Sequence, residues 1–584
     1  MKEILLLKES RTLMIFSVLM CYVITLTSNL TGTWTDPFLS FLLPLFDCYL
    51  LSVLAGILKK IRLGFLVSIL VVAVLFAELF TVFFYHTNFT IYVVLLLFET
   101  NTQESTEFVH AALTHPGIWY AVATTGLTGV VARWLARLSR KPLQAGKVRY
   151  GRMLAFVAFA LIAWSGVRQM SAYYKLFRCF TSASTTVCND VHYIPHLNTP
   201  FVRLAYGAAY NMASTAELDV LERSVAATTV DSCSYRCPLI VLVIGESYNK
   251  HHSPLYEPGY LPTTPLLQQQ REQGRLVAYT DAVAPFNFTS NAFKYMFSTW
   301  DETCSDEWTK HSLFPAVFKK AGYCVDFLTN QFALAQTEDM WDFAGATIFN
   351  RHELSDLQFT HRNTDIYELD GELLGELPSV DSLTARPTLL IVHLRGQHVS
   401  YENRYPKEFS RFTSDDEKTP FGGKAGRQMA AHYDNATLYD DYVVNTVFDR
   451  LKATDAIGIF LSDHGEEVYD WRDQYERTNE RTMTPEVARY QYEIPLMFYM
   501  TDTFRLRHPD VAEAVAAAAD RPFISSDLCH LLFYLGGIGF ADYQEKRNIL
   551  SPRYDCSRKR IIDFEVDYDA LMKGFSERKT PENG

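Results

Sequence analysis

Five long apolar runs near the start of the chain constrain its fold more than any other feature. They lie at roughly 12–31, 37–57, 63–86, 117–138 and 153–172, and each is long enough to cross a bilayer core as a helix. Lipid offers no hydrogen-bond partners, so only helices and closed barrels can span it. A helical transmembrane domain over 1–175 is therefore expected, with five spans. The first run alone could pass for a signal peptide, but four more follow it and no small-residue cleavage site does.

Basic residues set the orientation. Lys2, Lys8 and Arg11 precede the first run; Lys59, Lys60 and Arg62 separate the second and third; Arg137, Arg140, Lys141, Lys147, Arg149 and Arg152 lie between the fourth and fifth. With five spans, all three clusters share one side, the cytoplasmic one. The connectors 32–36 and 87–116 contain no Lys or Arg and face the other side. The fifth span then delivers the rest of the chain outward, which in a bacterium with two membranes is the periplasm. Connector 87–116 holds apolar stretches such as 91–98, which suit either a segment lying flat on the outer face or an ordinary loop helix.

The formal charge of −12 belongs mostly to the part beyond the spans, and no basic stripe there suits nucleic acid. Of ten cysteines, Cys21 and Cys48 fall in apolar runs, while Cys179, Cys188, Cys233, Cys237, Cys304, Cys324, Cys529 and Cys556 follow the spans. An even number in an outward-facing region points to disulfides. Cys179–Cys188 and Cys233–Cys237 are near enough in sequence to pair. A zinc ribbon ranks lower because CxxC spacing is missing.

Residues 176–236 read as a bridging segment with a helix near 200–226, residues 237–570 as a catalytic α/β domain, and 571–584 as a charged, mobile tail. Within the domain, short β-branched runs at 239–244, 323–328, 388–394, 457–461 and 496–500 are apolar on both faces. That pattern favours a largely parallel or mixed central sheet covered by helices, such as those expected near 312–320 and 434–453.

Two of these strands end alike. LIVLVIG at 239–245 runs into Glu246 and Ser247, and IGIFLS at 457–462 runs into Asp463, His464, Gly465, Glu466 and Glu467. Active sites of open α/β sheets gather beyond the carboxyl ends of strands, so a carboxylate at one end and an Asp-His pair at another form a convergent metal-ligand set. Taken singly, the same residue types serve as helix caps and turn formers. Four ionisable groups in five positions after a buried strand are harder to explain that way.

VIGES at 243–247, TTP at 263–265, YDN at 433–435 with Tyr439 and Asp441, and SDHGEE at 462–467 resemble the phosphoethanolamine transferases of bacterial envelopes, within the alkaline phosphatase/sulfatase superfamily. The resemblance extends over the whole chain. SDHGEEVYD at 462–470 and HLRGQH with RYP across 393–406 bring it nearest to the branch that decorates the lipopolysaccharide core. The resemblance implies an α-helical transmembrane domain of five spans followed by a periplasmic sulfatase-like domain.

It further implies a metal set of Glu246, Thr289, Asp463 and His464, with Zn(2+) as the metal and Thr289, in APFNFTSNAF at 284–293, as the nucleophile that becomes phosphorylated. Ser290 is the rival for that role. Thr289 also reads as the N-cap of a helix at 290–298, which would help to hold an anion. His398 is implied at the substrate phosphate or a second metal. His393 reads as a packed core residue, and His251 and His252 as residues that could face the site. The family has a further histidine downstream of SDHGE. Between Asp470 and Pro495 this chain has none and carries Arg472, Arg477, Arg481 and Arg489 instead. Arginine can hold phosphate by a bidentate fork but cannot bind zinc, so one metal is expected and a second lacks support.

The expected activity is a metal-dependent transfer of phosphoethanolamine from phosphatidylethanolamine to lipid A or the lipopolysaccharide core, by a monomeric multi-pass protein of the inner membrane. The alternatives are a phosphoglycerol transferase or sulfatase-type hydrolase of the same superfamily, and a non-catalytic envelope protein with a degenerate site. A formylglycine sulfatase is disfavoured, since no Cys-x-Pro-x-Arg run follows the first motif.

Overall fold

The computed structural model describes residues 10–30, 41–85, 113, 115–139, 148–182, 188, 199–301, 303–304, 306–331, 347–477 and 483–579. They divide into two compact units, one ending at Glu217 and one beginning at Leu218, so the boundary falls inside the segment expected as a bridge.

In the first unit, α1 (Arg11–Leu30), α2 (Pro44–Leu58), α3 (Gly64–Tyr85), α4 (Pro116–Leu138) and α5 (Val148–Arg168) match the five apolar runs. Then come α6 (Met170–Thr181), which leaves the end of α5 at a 47° bend, and α7 (Pro200–Ala227). Among the described residues, length and apolarity qualify two helices as membrane spans, Arg11–Ser28 and Gly64–Phe84, and a third if the bent pair is one span. Five is therefore more than these criteria support. Helix α2 has 15 residues, about 22 Å at 1.5 Å per residue, short of a hydrocarbon core of about 30 Å. Helix α4 carries Arg133 and Arg137 among Gly and Thr. Connector residues 87–112 and the basic residues Lys2, Lys8, Arg140, Lys141 and Lys147 lie outside the described residues.

Phe16, Met20 and Ile24 on α1, and Val67, Val71, Leu75 and Leu79 on α3, recur every four residues and form this unit's core, the stripe expected of helices that pack along one face. Other faces expose Phe65, Ile69, Trp134 and Phe156, an apolar surface suited to lipid. Polar contacts lie inside this unit as well: Glu78 of α3 pairs with Arg203 of α7 at 2.5 Å, and Tyr173 of α6 donates to Asp47 of α2 at 2.5 Å.

Cys179 and Cys188 form a disulfide. The second expected pair is not made. Cys233 and Cys237 are free thiols, as are Cys304, Cys324, Cys529 and Cys556. Cys233 is held opposite Ile538 in a short antiparallel pair with its thiol toward the Gly536 carbonyl, whereas Cys237 is buried in the core.

The second unit is built on a seven-stranded sheet. Its strands are β1 (Leu239–Gly245), β2 (Leu276–Ala278), β3 (Cys324–Thr329), β4 (His361–Arg362), β5 (Thr388–His393), β6 (Ala456–Ser462) and β7 (Leu496–Met500). They lie in the order β2-β7-β6-β1-β5-β3-β4. The strands from β6 to β4 are parallel, and β7 runs antiparallel to both β6 and β2. The sheet is mixed, as the two-faced apolar runs required. On β1, Ile240, Leu242 and Ile244 enter one core with Phe314, Val317 and Phe318. Leu239, Val241 and Val243 enter the other, against Val443, Val447 and Phe448 of helix α9 (Gly423–Leu451). Each such side chain contributes roughly 1.5–3 kcal/mol on burial, so the central strands are pinned from both sides.

Register then sets the site. Gly245 stands opposite Ser462, and Ile244 and Thr329 both stand opposite His393, so β1, β3, β5 and β6 end at one level and their next residues emerge together. The turn after β5 closes over Glu246 at Gly396, whose φ is +49° and where a Cβ would come within 2.8 Å of the Glu246 carbonyl. Glycine alone fits there. Helix α10 (Tyr568–Lys579) occupies much of the segment expected as a mobile tail. Leu571 and Met572 pack on a small core with Val487 and Tyr492, and the Tyr568 hydroxyl donates to Glu493. Residues 580–584 lie outside the described ones.

Candidate metal centre

Glu246 follows β1 and Asp463 and His464 follow β6, all fully buried. Thr289 opens helix α8 (Thr289–Phe297); the N-cap is Phe288, so the threonine sits one position inside the helix rather than capping it. The hydroxyl Oγ1 of Thr289 donates to Glu246 Oε2 at 3.0 Å and lies 3.3 Å from His464 Nε2. His464 Nε2 in turn lies 3.3 Å from Glu246 Oε1 and 3.1 Å from Asp463 Oδ2. Ligands held about 2.0 Å from a tetrahedral centre stand about 3.3 Å from each other, so these spacings suit one small dication.

Two details orient the set. Asp463 Oδ1 accepts from the Ser247 and His464 backbone amides, while its buried Oδ2 has no hydrogen-bond partner among the described residues. His464 Nδ1 faces the Gly465 carbonyl at 2.8 Å. In the tautomer with the proton on Nδ1, the Nε2 lone pair is turned to the centre.

The electrostatics are those of closely packed opposite charges. Burial opposes ionisation of Glu246, but His464, His398 and Arg477 outweigh it and hold its pKa well below the ordinary value. Burial and Glu246 together push Asp463 up. Burial disfavours charge on His464, yet Asp463 and Glu246 raise its pKa to about 9. Such a set gains from a cation that satisfies both carboxylates at once.

His398 lies close enough to feel Glu246 and Arg477. Burial, reinforced by Arg477, lowers its pKa to about 3, so it is neutral, and its imidazole makes no hydrogen bond among the described residues. His393 is buried at the end of β5 against Thr329 and the Phe293 ring. Neither His251 nor His252 joins the ligand set: His251 faces Glu493 and Glu257, and His252 lies between Asp434 and Asp470.

Of the four downstream arginines, Arg472 pairs with Glu467 and Arg489 with Glu257. Arg481 lies outside the described residues. Arg477 enters the site, donating from Nη1 to Glu246 and Ser247 and lying 3.0 Å from His464 Nε2.

Sequence reasoning missed three supports. Ser247, at φ +58°, donates to Glu246 Oε1. Gln331, just beyond β3, reaches Glu246 Oε2 and the Leu394 carbonyl. Tyr401 donates to Glu466 at 2.6 Å. Ser247 stands beside a named ligand and could have been read from the strand end; Gln331 and Tyr401 carry no local signal. A second ligand-type cluster, Cys324, Asp326 and His361, already holds a cation, because Arg386 Nη2 lies 3.0 Å from the thiol and 3.3 Å from His361.

Parallel strands that end at one level bring Glu246, Asp463 and His464 together as a group that could hold a metal ion, beside a helix-borne threonine, in an α/β domain. The sulfatase family model matches residues 238–538, just over half of the chain, and the chain belongs to that family. Among its relatives is the phosphoethanolamine transferase EptC of Escherichia coli O18:K1:H7, 30% identical over 350 residues, which are 57% of this chain and 58% of that protein. Another is the Kdo(2)-lipid A phosphoethanolamine 7''-transferase of Salmonella typhimurium, 26% identical over 311 residues, 52% of this chain and 51% of that protein. The aligned part thus spans little more than half the length of these curated relatives.

Two of the similar solved structures carry the comparison. The zinc complex of the C-terminal periplasmic domain of Escherichia coli EptC is 26% identical, with a TM-score of 0.50, covering 57% of this chain and 93% of that one. The integral membrane lipooligosaccharide phosphoethanolamine transferase A of Neisseria meningitidis, 19% identical, covers 94% of this chain and 98% of its own with a TM-score of 0.60. At that identity it shows a shared fold.

Proposed function

We propose that this chain is a zinc-dependent phosphoethanolamine transferase of the bacterial inner membrane, with its catalytic domain in the periplasm. The observation that carries the reading is the Thr289 hydroxyl, 3.0 Å from Glu246 and 3.3 Å from His464. An alcohol seated among metal-ligand side chains at a helix start is an activated nucleophile rather than a surface threonine. The relatives named as phosphoethanolamine transferases supply the group transferred, and the zinc complex of EptC supports the metal.

Glu246, Asp463, His464 and Thr289 would hold the ion, which when bound would lower the pKa of the threonine hydroxyl and draw charge from the phosphoryl oxygens. Thr289 Oγ1 attacks the phosphorus of phosphatidylethanolamine. An O–P bond forms to the threonine, the ester bond to the lipid breaks, and diacylglycerol leaves with a proton. A hydroxyl or phosphate of lipid A or the lipopolysaccharide core then attacks the phosphothreonine ester, freeing Thr289. Two in-line displacements retain configuration at phosphorus. Neutral His398 has a nitrogen available to accept or return a proton near the reacting group. Both substrates are lipid-anchored, which suits a chain with apolar helices, and the basic-residue bias favours five spans with an outward domain. The protein acts as a monomer.

Intact-mass analysis of the zinc-loaded full-length protein after incubation with phosphatidylethanolamine tests this. The expected result is a phosphoethanolamine adduct on Thr289 that is missing from Thr289→Ala. An adduct with phosphatidylglycerol alone would select a phosphoglycerol transferase. Bound zinc with no adduct from either lipid would point to a binding protein.

A further inference from the structure

Arg477 stands apart from the other described arginines near the site. Its side chain is only 12% exposed, and its Nη1 donates to Glu246 Oε1 at 3.2 Å and Ser247 Oγ at 2.6 Å, with His464 Nε2 at 3.0 Å. Among the described residues the buried Nε donor has no hydrogen-bond partner, and it lies 3.7 Å from Glu466 Oε2. Its guanidinium also sits over the ring of Phe288, the residue before Thr289.

We propose that Arg477 is the phosphoryl-binding cation of this site, doing there what a second metal ion would otherwise do, so that the site takes a single metal. The proposal rests on the reading of Thr289 as the group that carries the phosphoryl moiety. Arg477 Nη1 and Thr289 Oγ1 approach the same nitrogen, His464 Nε2, at 3.0 Å and 3.3 Å, so a phosphoryl group on Thr289 comes within reach of the guanidinium. Ligation of a metal would take the His464 lone pair and share the Glu246 charge. Nη1 would then lack two of its three present partners, and a phosphoryl oxygen is the acceptor its planar fork fits best.

The surrounding charge agrees. Glu246 Oε1 and Glu466 Oε2 lie 3.2 Å and 3.7 Å from the guanidinium, so the buried cation is paired rather than isolated. Nor is a second metal-ligand trio present beside the first: among the described residues, the only other such group is Cys324, Asp326 and His361, on the β3–β4 side of the sheet.

The test needs no turnover. Zinc per chain is measured at saturating zinc, and inorganic phosphate affinity is measured for the zinc-loaded full-length protein in detergent. Wild type, Arg477→Gln and Arg477→Lys should each hold one zinc. Phosphate binding should weaken about tenfold or more in Arg477→Gln, and less in Arg477→Lys, which keeps the charge but loses the fork. Two zinc ions in the wild type, or phosphate affinity within twofold of wild type in both variants, would overturn the proposal. If Arg477→Gln fails to load zinc, the Arg477→Lys comparison decides alone. Because phosphate binding is read without lipid, the two failures are distinguishable: a missing adduct on Thr289 sinks the transfer reading on which this proposal rests, whereas unchanged phosphate affinity in the variants sinks only the role of Arg477.

Discussion

At the scale of single residues, the site works by holding ionised groups closer than water would allow. His464 must give up its Nε2 proton before that nitrogen can bind a metal, and Asp463 and Glu246 raise its pKa to about 9. Zinc therefore competes with a proton at every pH below that value. Affinity should rise about tenfold per pH unit from pH 6 to 8, the slope for one displaced proton. Zinc titrations against a chelator at several pH values check this, and a flat profile would remove His464 from the ligand set. The ligand types at this site were legible because SDHGEE follows an apolar strand. Arg477 was legible only as one of four arginines. What separates it from Arg472 and Arg489 is which carboxylate each one meets, Glu246 rather than Glu467 or Glu257, and sequence spacing does not encode that.

At the scale of elements, the loops after β1 and β6 must be fixed against each other or the ligands would drift. His252 does this. Burial disfavours charge on its ring, but Asp434 of α9 at 2.6 Å and Asp470 of the β6 loop at 3.1 Å outweigh burial and hold its pKa well above the ordinary value. Tyr260 adds a hydroxyl to the same nitrogen as Asp434, and Asn249 a donor to Asp470. A raised folded pKa means the stabilisation is complete below the unfolded value of about 6.5 and is lost as pH rises through the folded one.

His252→Asn should accordingly lower stability by about 1.5–3 kcal/mol, the range for hydrogen bonds to charged groups. Thermal unfolding at pH 6 and pH 9 should show a smaller gap from wild type at the higher pH, and a gap that widens with pH would contradict the clamp. Strands were the legible part here, since short β-branched runs that are apolar on both faces mark a covered sheet. The clamp was not. His252 read as a residue that could face the metal, because sequence distance from Glu246 says nothing of Asp434, which arrives on α9.

At the scale of the whole molecule, apolar runs announced the helical unit, yet its inner polar contacts join residues more than a hundred positions apart and leave no local trace. Glu78 lies within the strongly apolar helix α3, and its partner Arg203 is on α7. A carboxylate among apolar helices is costly unless it is paired. Removing one partner strands the other charge, whereas removing both leaves an apolar contact that the surrounding Leu and Val side chains can fill. Glu78→Leu and Arg203→Leu should each destabilise the detergent-solubilised protein by about 3–5 kcal/mol, while the double variant should recover most of that loss. Thermal unfolding of the four proteins forms the cycle. Additive losses would mean that the two charges act independently. Recovery in the double variant would mean that the ion pair sets which helix faces meet while contributing little net stability, so that in this unit partner choice, rather than affinity, is what the charges supply.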